Sequence, residues 1–213
     1  NSSIQAEEFS KSLKTGSKKM VIWMPTFRNT GVNIYPEERI IRNFEIPLVL
    51  NFAEMKILDS YCVSKDILLC IKRHPMQLVY ECEIYNFENI KFIDDKTLKD
   101  ANVQLYSLLQ YTDALISDYS SISVDYMLLN KPIAYALDDY EQYKNTRGFV
   151  FENPLEYMPG HHLYNLKNLL DFLNDISNNV DKYVNERERV MKHFHNQSDN
   201  YCKTVWDKIE SIR

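Results

Sequence analysis

Three features of the chain predict a doubly wound, Rossmann-like parallel α/β sheet. Short apolar runs alternate with segments of helical period, polar side chains follow directly on those runs, and no internal repeat or low-complexity tract breaks the alternation. The runs are Met20-Val21-Ile22-Trp23-Met24, Ile67-Leu68-Leu69-Cys70-Ile71, Ile90-Lys91-Phe92-Ile93, Ala114-Leu115-Ile116 and 133–136. They give a sheet of about five or more strands. In such sheets, ligands lie in the crevice outside the carboxyl ends of the strands, so the residues that follow each run are the first to examine.

Residues 1–18 are polar, with Ile4, Phe9 and Leu13 at roughly helical spacing, and read as a short helix and a linker ahead of a domain over 19–213. The first strand runs into Pro25-Thr26-Phe27-Arg28, which places a hydroxyl and a guanidinium at a strand end. Arg28 can offer a planar fork to a phosphate, or be a plain surface arginine. Residues 29–47 read as a polar excursion, and 48–61 as a helix with apolar residues at 48, 49, 52, 55, 58 and 61. The second strand is followed at once by Lys72-Arg73-His74-Pro75. A histidine behind two cations suits a group that donates to phosphate oxygens or handles a proton, although a lone histidine after a strand is more often structural. A helix is expected over 102–110.

The polar residues are densest after the run at 114–116, in Ser117-Asp118-Tyr119-Ser120-Ser121, just before Ile122, Val124, Met127 and Leu128 begin a helical stripe. Ser120 or Ser121 is the natural N-cap, and a helix opening there aims unpaired N–H groups and a partial positive charge into the crevice, which suits a phosphate. Asp125 shares that face one turn later, where a carboxylate suits a sugar or polyol hydroxyl. The same spacing also fits an ordinary capped helix with Asp125 as a solvated acid. Asp138-Asp139 reads as an acidic helix start. His161-His162 reads as a solvent-exposed loop, and helices are expected over 166–176, 180–194 and 201–212.

Composition narrows the function. The 213 residues are 45% hydrophobic and 26% charged, ordinary for a globular protein, and the net charge of -5 with a pI near 5.6 argues against a general nucleic-acid partner. Only 4 glycines are present, with no Gly-rich phosphate loop, so a nucleotide must be held another way. Cys62, Cys70, Cys82 and Cys202 form no zinc spacing and suit buried free thiols in a reducing cytosol. No metal site and no cofactor motif is found. No apolar run reaches the roughly 18 residues that span a bilayer. The chain opens on Asn1 rather than methionine, which suggests a piece of a longer protein.

The run Ile116-Ser117-Asp118-Tyr119-Ser120-Ser121, then Asp125-Tyr126, then Leu129-Asn130-Lys131-Pro132-Ile133, resembles the signature of the CDP-glycerol glycerophosphotransferase family, the polymerases of teichoic acids and related capsule polymers. Pro25-Thr26-Phe27-Arg28 is similar to that family's first nucleotide-binding loop, and Arg73-His74-Pro75 lies in a run like its Arg-x-His-Pro motif, with Lys72 where arginine is more usual. Arg147-Gly148-Phe149-Val150-Phe151 and Pro159-Gly160 also resemble family elements. His161-His162 departs from the pattern, as does Asn196-Gln197 between His195 and Ser198.

The resemblance implies the C-terminal, nucleotide-binding half of a GT-B type transferase, with the N-terminal acceptor domain absent from this chain. It implies His74 as the catalytic residue and Thr26, Arg28, Arg73, Ser120, Ser121 and Asp125 as donor-binding residues. The implied partners are a CDP-linked polyol donor, a polyol-phosphate polymer or lipid-linked acceptor, and the missing N-terminal domain. Glycerol, ribitol and sugar phosphate donors all stay open. The implied location is the cytoplasm, peripheral at the inner face of the membrane. A non-catalytic nucleotide or phosphopolymer binding module on the same fold is the alternative.

Overall fold

A computed structural model describes residues 2–14, 18–26, 46–73, 86–195 and 200–212. Among them, six parallel strands form one sheet: β1 (Lys19–Trp23), β2 (Ile67–Lys72), β3 (Ile90–Ile93), β4 (Ala114–Ser117), β5 (Ile133–Ala136) and β6 (His161–Leu163). Their order is β3-β2-β1-β4-β5-β6. The helices are α1 (Ser2–Leu13), α2 (Phe52–Ser64), α3 (Asp95–Asp100), α4 (Leu105–Leu109), α5 (Ile122–Tyr126), α6 (Tyr140–Thr146), α7 (Leu166–Ser177), α8 (Val184–Phe194) and α9 (Tyr201–Glu210).

The strands are apolar along their length because both faces of the sheet are covered. On one face Val21, Trp23, Ile67, Leu69, Ala114 and Ile116 meet Met55, Leu58 and Cys62 of α2 and Leu169, Phe172 and Leu173 of α7. On the other, Met20, Ile22, Leu68, Cys70, Leu115 and Tyr135 meet Leu98, Leu108, Ile122, Tyr126 and Val190. The helix of residues 2–13 belongs to this second layer, with Ala6 fully buried and Phe9 and Leu13 packed against it. Burial pushes the Cys62 and Cys70 thiols up to about 12, as expected of inert core cysteines, whereas Cys202 is exposed. Cys82 lies outside the described residues.

Local chemistry accounts for where the structure departs from the sequence reading. The helix expected from 48 begins only at Phe52, because Asn51 supplies the cap by accepting from Glu54 N at 3.0 Å, and Leu48 ahead of it has a left-handed backbone (φ 66°). The helix expected over 102–110 is the shorter α4, and α3, which the sequence reading did not expect, precedes it. Asp94 and Thr97 form a capping box that starts α3, and Asn102 at φ 52° ends it before α4.

His161-His162 is a sixth strand on the sheet edge, not an exposed loop. Ala134 pairs with His161 and Ala136 with Leu163, and the approach requires glycine at 160, where a Cβ would sit 2.1 Å from the Ile133 carbonyl oxygen. The His161 ring lies between Phe172 and Tyr183, at 5.2 and 5.0 Å, with Nε2 3.5 Å from Asp175.

Arg187 of α8 is fully buried and holds the end of the fold together. Its Nη2 donates to Asp181 at 2.6 Å and to the Asn130 carbonyl at 3.1 Å, and its Nε donates to Asn130 Oδ1 at 3.0 Å. Asn130, which receives these bonds, has a left-handed backbone at φ 47°. By contrast, every described side chain of α9 is exposed.

Removing one partner of a buried, hydrogen-bonded pair is strongly destabilising, so Arg187→Ala should lower the unfolding free energy by about 3 kcal/mol, read from urea titration. His161 gives a pH-dependent counterpart. Burial holds its imidazole below the ordinary histidine value, against the opposing pull of Asp175. Below about pH 6.5 the unfolded chain takes up a proton that the folded chain resists, so stability should fall as pH drops from there towards the lower folded value. His161→Gln should flatten that part of the profile, and an unchanged slope would place the loss elsewhere.

Candidate functional site

The strand order places a topological switch between β1 and β4, and it is beyond the carboxyl ends of the strands at such a switch that open α/β sheets hold their ligands. The ladder between the two strands ends with Trp23 opposite Ile116 and Met24 N donating to Ile116 O at 2.8 Å. Beyond it, the two loops are joined by a side chain. Asp118, 1% exposed, accepts from both the backbone N–H and the hydroxyl of Thr26 at Oδ2, each at 2.7 Å.

The next residue is tethered the other way. Tyr119 donates its hydroxyl to Asp139 at 2.8 Å, and its ring stacks on Tyr143 at 3.9 Å with Phe149 against its edge. This is where the acidic pair at 138–139 goes. Asp139 occupies the position before α6 without capping it, and Asp138 accepts from Leu48 N at 3.0 Å. Phe149 reaches the cluster because Gly148, at φ 71°, turns the chain after α6.

Held on both sides, the turn presents Ser120 and Ser121. Ser121 occupies the position before α5, but its backbone is already helical and its side chain makes no capping bond. Its hydroxyl is exposed. Ser120 gives its carbonyl to the Ser123 hydroxyl at 2.9 Å. Two buried polar atoms lie at the same strand ends without a hydrogen-bond partner among the described residues, Trp23 Nε1 on β1 and Ser117 Oγ on β4. Orphaned polar groups of this kind concentrate at functional sites.

The remaining expected site residues fall as follows. Arg73 follows β2, one strand from β1, with its guanidinium 3.8 Å from Asp94 and 5.9 Å from the Phe92 ring centroid. Hydrogen bonds from Thr97 hold the Asp94 carboxyl below its ordinary value. Lys72 pairs with Asp95 at 2.7 Å. Asp125 on α5 accepts from the Tyr106 hydroxyl at 2.7 Å. Arg28, His74 and Ser198 lie outside the described residues.

Sequence reasoning gave Asp118 and Tyr119 no separate role, although an acid directly after a buried strand needs donors nearby. It also gave none to His195, which ends α8 with Nε2 2.9 Å from the Val124 carbonyl of α5. Among the described residues no group of histidine, cysteine, aspartate and glutamate could hold a metal ion, and no helix is long and apolar enough to cross a membrane.

A doubly wound α/β domain with polar loops at its switch point and no Gly-rich loop is the class that fold and site define. Within that class, the chain belongs to the CDP-Glycerol:Poly(glycerophosphate) glycerophosphotransferase family, whose profile matches residues 3–210. It is 30% identical over 195 residues to the teichoic acid glycerol-phosphate primase of Bacillus spizizenii, covering 88% of this chain and 43% of that protein. The primase of Bacillus subtilis is 28% identical over 165 residues, covering 78% of this chain and 37% of the primase. The chain thus spans less than half the length of these relatives. Among solved structures, the wall teichoic acid polymerase TagF superposes with a TM-score of 0.62 at 22% identity, over 99% of this chain and 48% of the TagF chain, and a TagF variant soaked with CDPG superposes at 0.63. The fold is therefore the same.

Ser121 can be separated from the fold's stability. Its hydroxyl is exposed and makes no capping bond, so Ser121→Ala should change the unfolding free energy by no more than about 0.5 kcal/mol. If that hydroxyl serves a phosphate, the same variant should bind a cytidine nucleotide more weakly. A large loss of stability would make it a structural serine.

Proposed function

We propose that this chain is the donor-binding half of a GT-B type transferase that moves polyol phosphate from a CDP-linked polyol to a growing teichoic acid or capsule polymer, releasing CMP. The observation that carries the reading is the serine turn at 118–121, standing at the switch point of a domain that belongs to the glycerophosphotransferase family. The names of the relatives and the CDPG in the TagF variant support the donor class.

In this reading the acceptor hydroxyl oxygen attacks the polyol-side phosphorus, the bond from that phosphorus to the CMP oxygen breaks, and the hydroxyl proton leaves to a base. The protein's work is positioning and charge stabilisation. Ser120 and Ser121 donate to phosphate oxygens, and Arg28 and Arg73 supply positive charge. His74 stabilises the leaving phosphate as negative charge develops, and Asp125 meets a polyol hydroxyl. The acceptor side is contributed by an N-terminal half, and the whole protein works at the inner face of the cell membrane, where a lipid-linked acceptor is held.

Two measurements test this together. Calorimetry on the chain should show CDP binding more tightly than ADP or GDP, and equal affinity would remove the cytidine assignment. In the protein joined to its N-terminal half, His74→Ala should lower turnover about a hundredfold with little change in donor affinity. Donor binding without any turnover in the joined protein would favour a non-catalytic binding module.

A further inference from the structure

We propose that Asp118 is a positioning residue for the donor, acting through Thr26. The inference rests on the donor-binding reading above and assigns a role to a side chain which that reading leaves unused. Among the described residues the last backbone bond between the β1 and β4 ends is the one at Met24, at the switch point of the strand order. The Asp118 carboxylate bridges the two loops beyond it. Both of Thr26's donors converge on one oxygen at 2.7 Å, the short geometry of charge-assisted bonds.

The arrangement changes what Thr26 can do. Its N–H and its hydroxyl proton are directed at Asp118, so neither is presented to an incoming phosphate. Thr26 instead fixes where the loop after β1 begins. The same bonds hold the 118–121 turn from the β1 side, while Tyr119 holds it from the α6 side through Asp139 and Tyr143. Two consecutive residues thus tether the turn in opposite directions, which leaves Ser120 and Ser121 in one geometry before a ligand arrives. Pre-organisation of that kind lowers the ordering cost of binding.

The test uses the 213-residue chain and CDP, with affinity measured by calorimetry well below each variant's thermal midpoint. Thr26→Val keeps the N–H and loses the hydroxyl, and should weaken CDP binding about tenfold. Thr26→Ser restores the hydroxyl and should bind like the parent. Asp118→Asn should also weaken binding about tenfold, and the double variant Thr26→Val with Asp118→Asn should lose less than the sum of the two single losses, since the hydroxyl bond that Thr26→Val removes is one of the two that Asp118 accepts. If Asp118→Asn does not fold, the comparison of Thr26→Val with Thr26→Ser decides alone. Folded Thr26→Val that binds CDP like the parent, or a double variant whose losses add, overturns the inference while leaving the donor reading in place. A parent chain that does not bind CDP removes the donor reading, and the inference falls with it.

Discussion

A parallel sheet that winds outward in both directions from β1 must leave a gap where β1 and β4 part, and the polar chemistry of this molecule is gathered at that gap. The gap is a consequence of topology. Backbone hydrogen bonds close the ladder as far as Met24 and Ile116, and beyond that point the loops need side chains to hold them. An aspartate does so here, at the cost of burying a carboxylate, and two donors from Thr26 meet it. The serine turn, the Tyr119 stack and the approach of α6 all take their positions from that arrangement.

The strands were legible in the sequence because both faces of the sheet are buried, so each central strand is an unbroken apolar run with a polar residue at its end. The edge was not. β6 has three residues, two of them histidines, and its pairing depends on Gly160 meeting the Ile133 carbonyl, a contact between residues far apart in the chain. The start of α2 was misjudged and α3 was missed for a related reason. Apolar period locates a helix face, but Asn51 and Asp94 decide where each helix begins through bonds of a few ångströms. The site was legible as a set of motifs at strand ends, and Thr26, Ser120 and Ser121 do follow β1 and β4. What the sequence could not supply was the pairing within the set, since no spacing rule links residue 26 to residue 118.

The long motif from Ile116 to Ile133 contains two kinds of residue with different duties. Its first part, 118–121, borders the crevice. Its last part serves the fold. Lys131 donates to the carbonyls of Gln110 and Thr112, at 2.7 and 2.6 Å, and Asn130 receives the buried Arg187. Burial holds the Lys131 ammonium below its ordinary value, against the opposing pull of Asp113. A polar residue in a shared motif is therefore not by that fact a site residue.

These two parts are mechanically joined, and the joint runs through the C-terminal helices. Arg187 ties α8 to the turn that ends the α5 segment at Asn130, and at the far end of α8 His195 meets the Val124 carbonyl within α5 itself. α5 is only five residues long, too short to be stable by its own hydrogen bonds, so its direction is set by what packs on it. Tyr126 and Ile122 fasten it to the sheet, and α8 fastens it from outside. The serine turn thus depends on residues more than sixty positions further along the chain, and a loosening of α8 would be felt at the crevice before it was felt in the sheet.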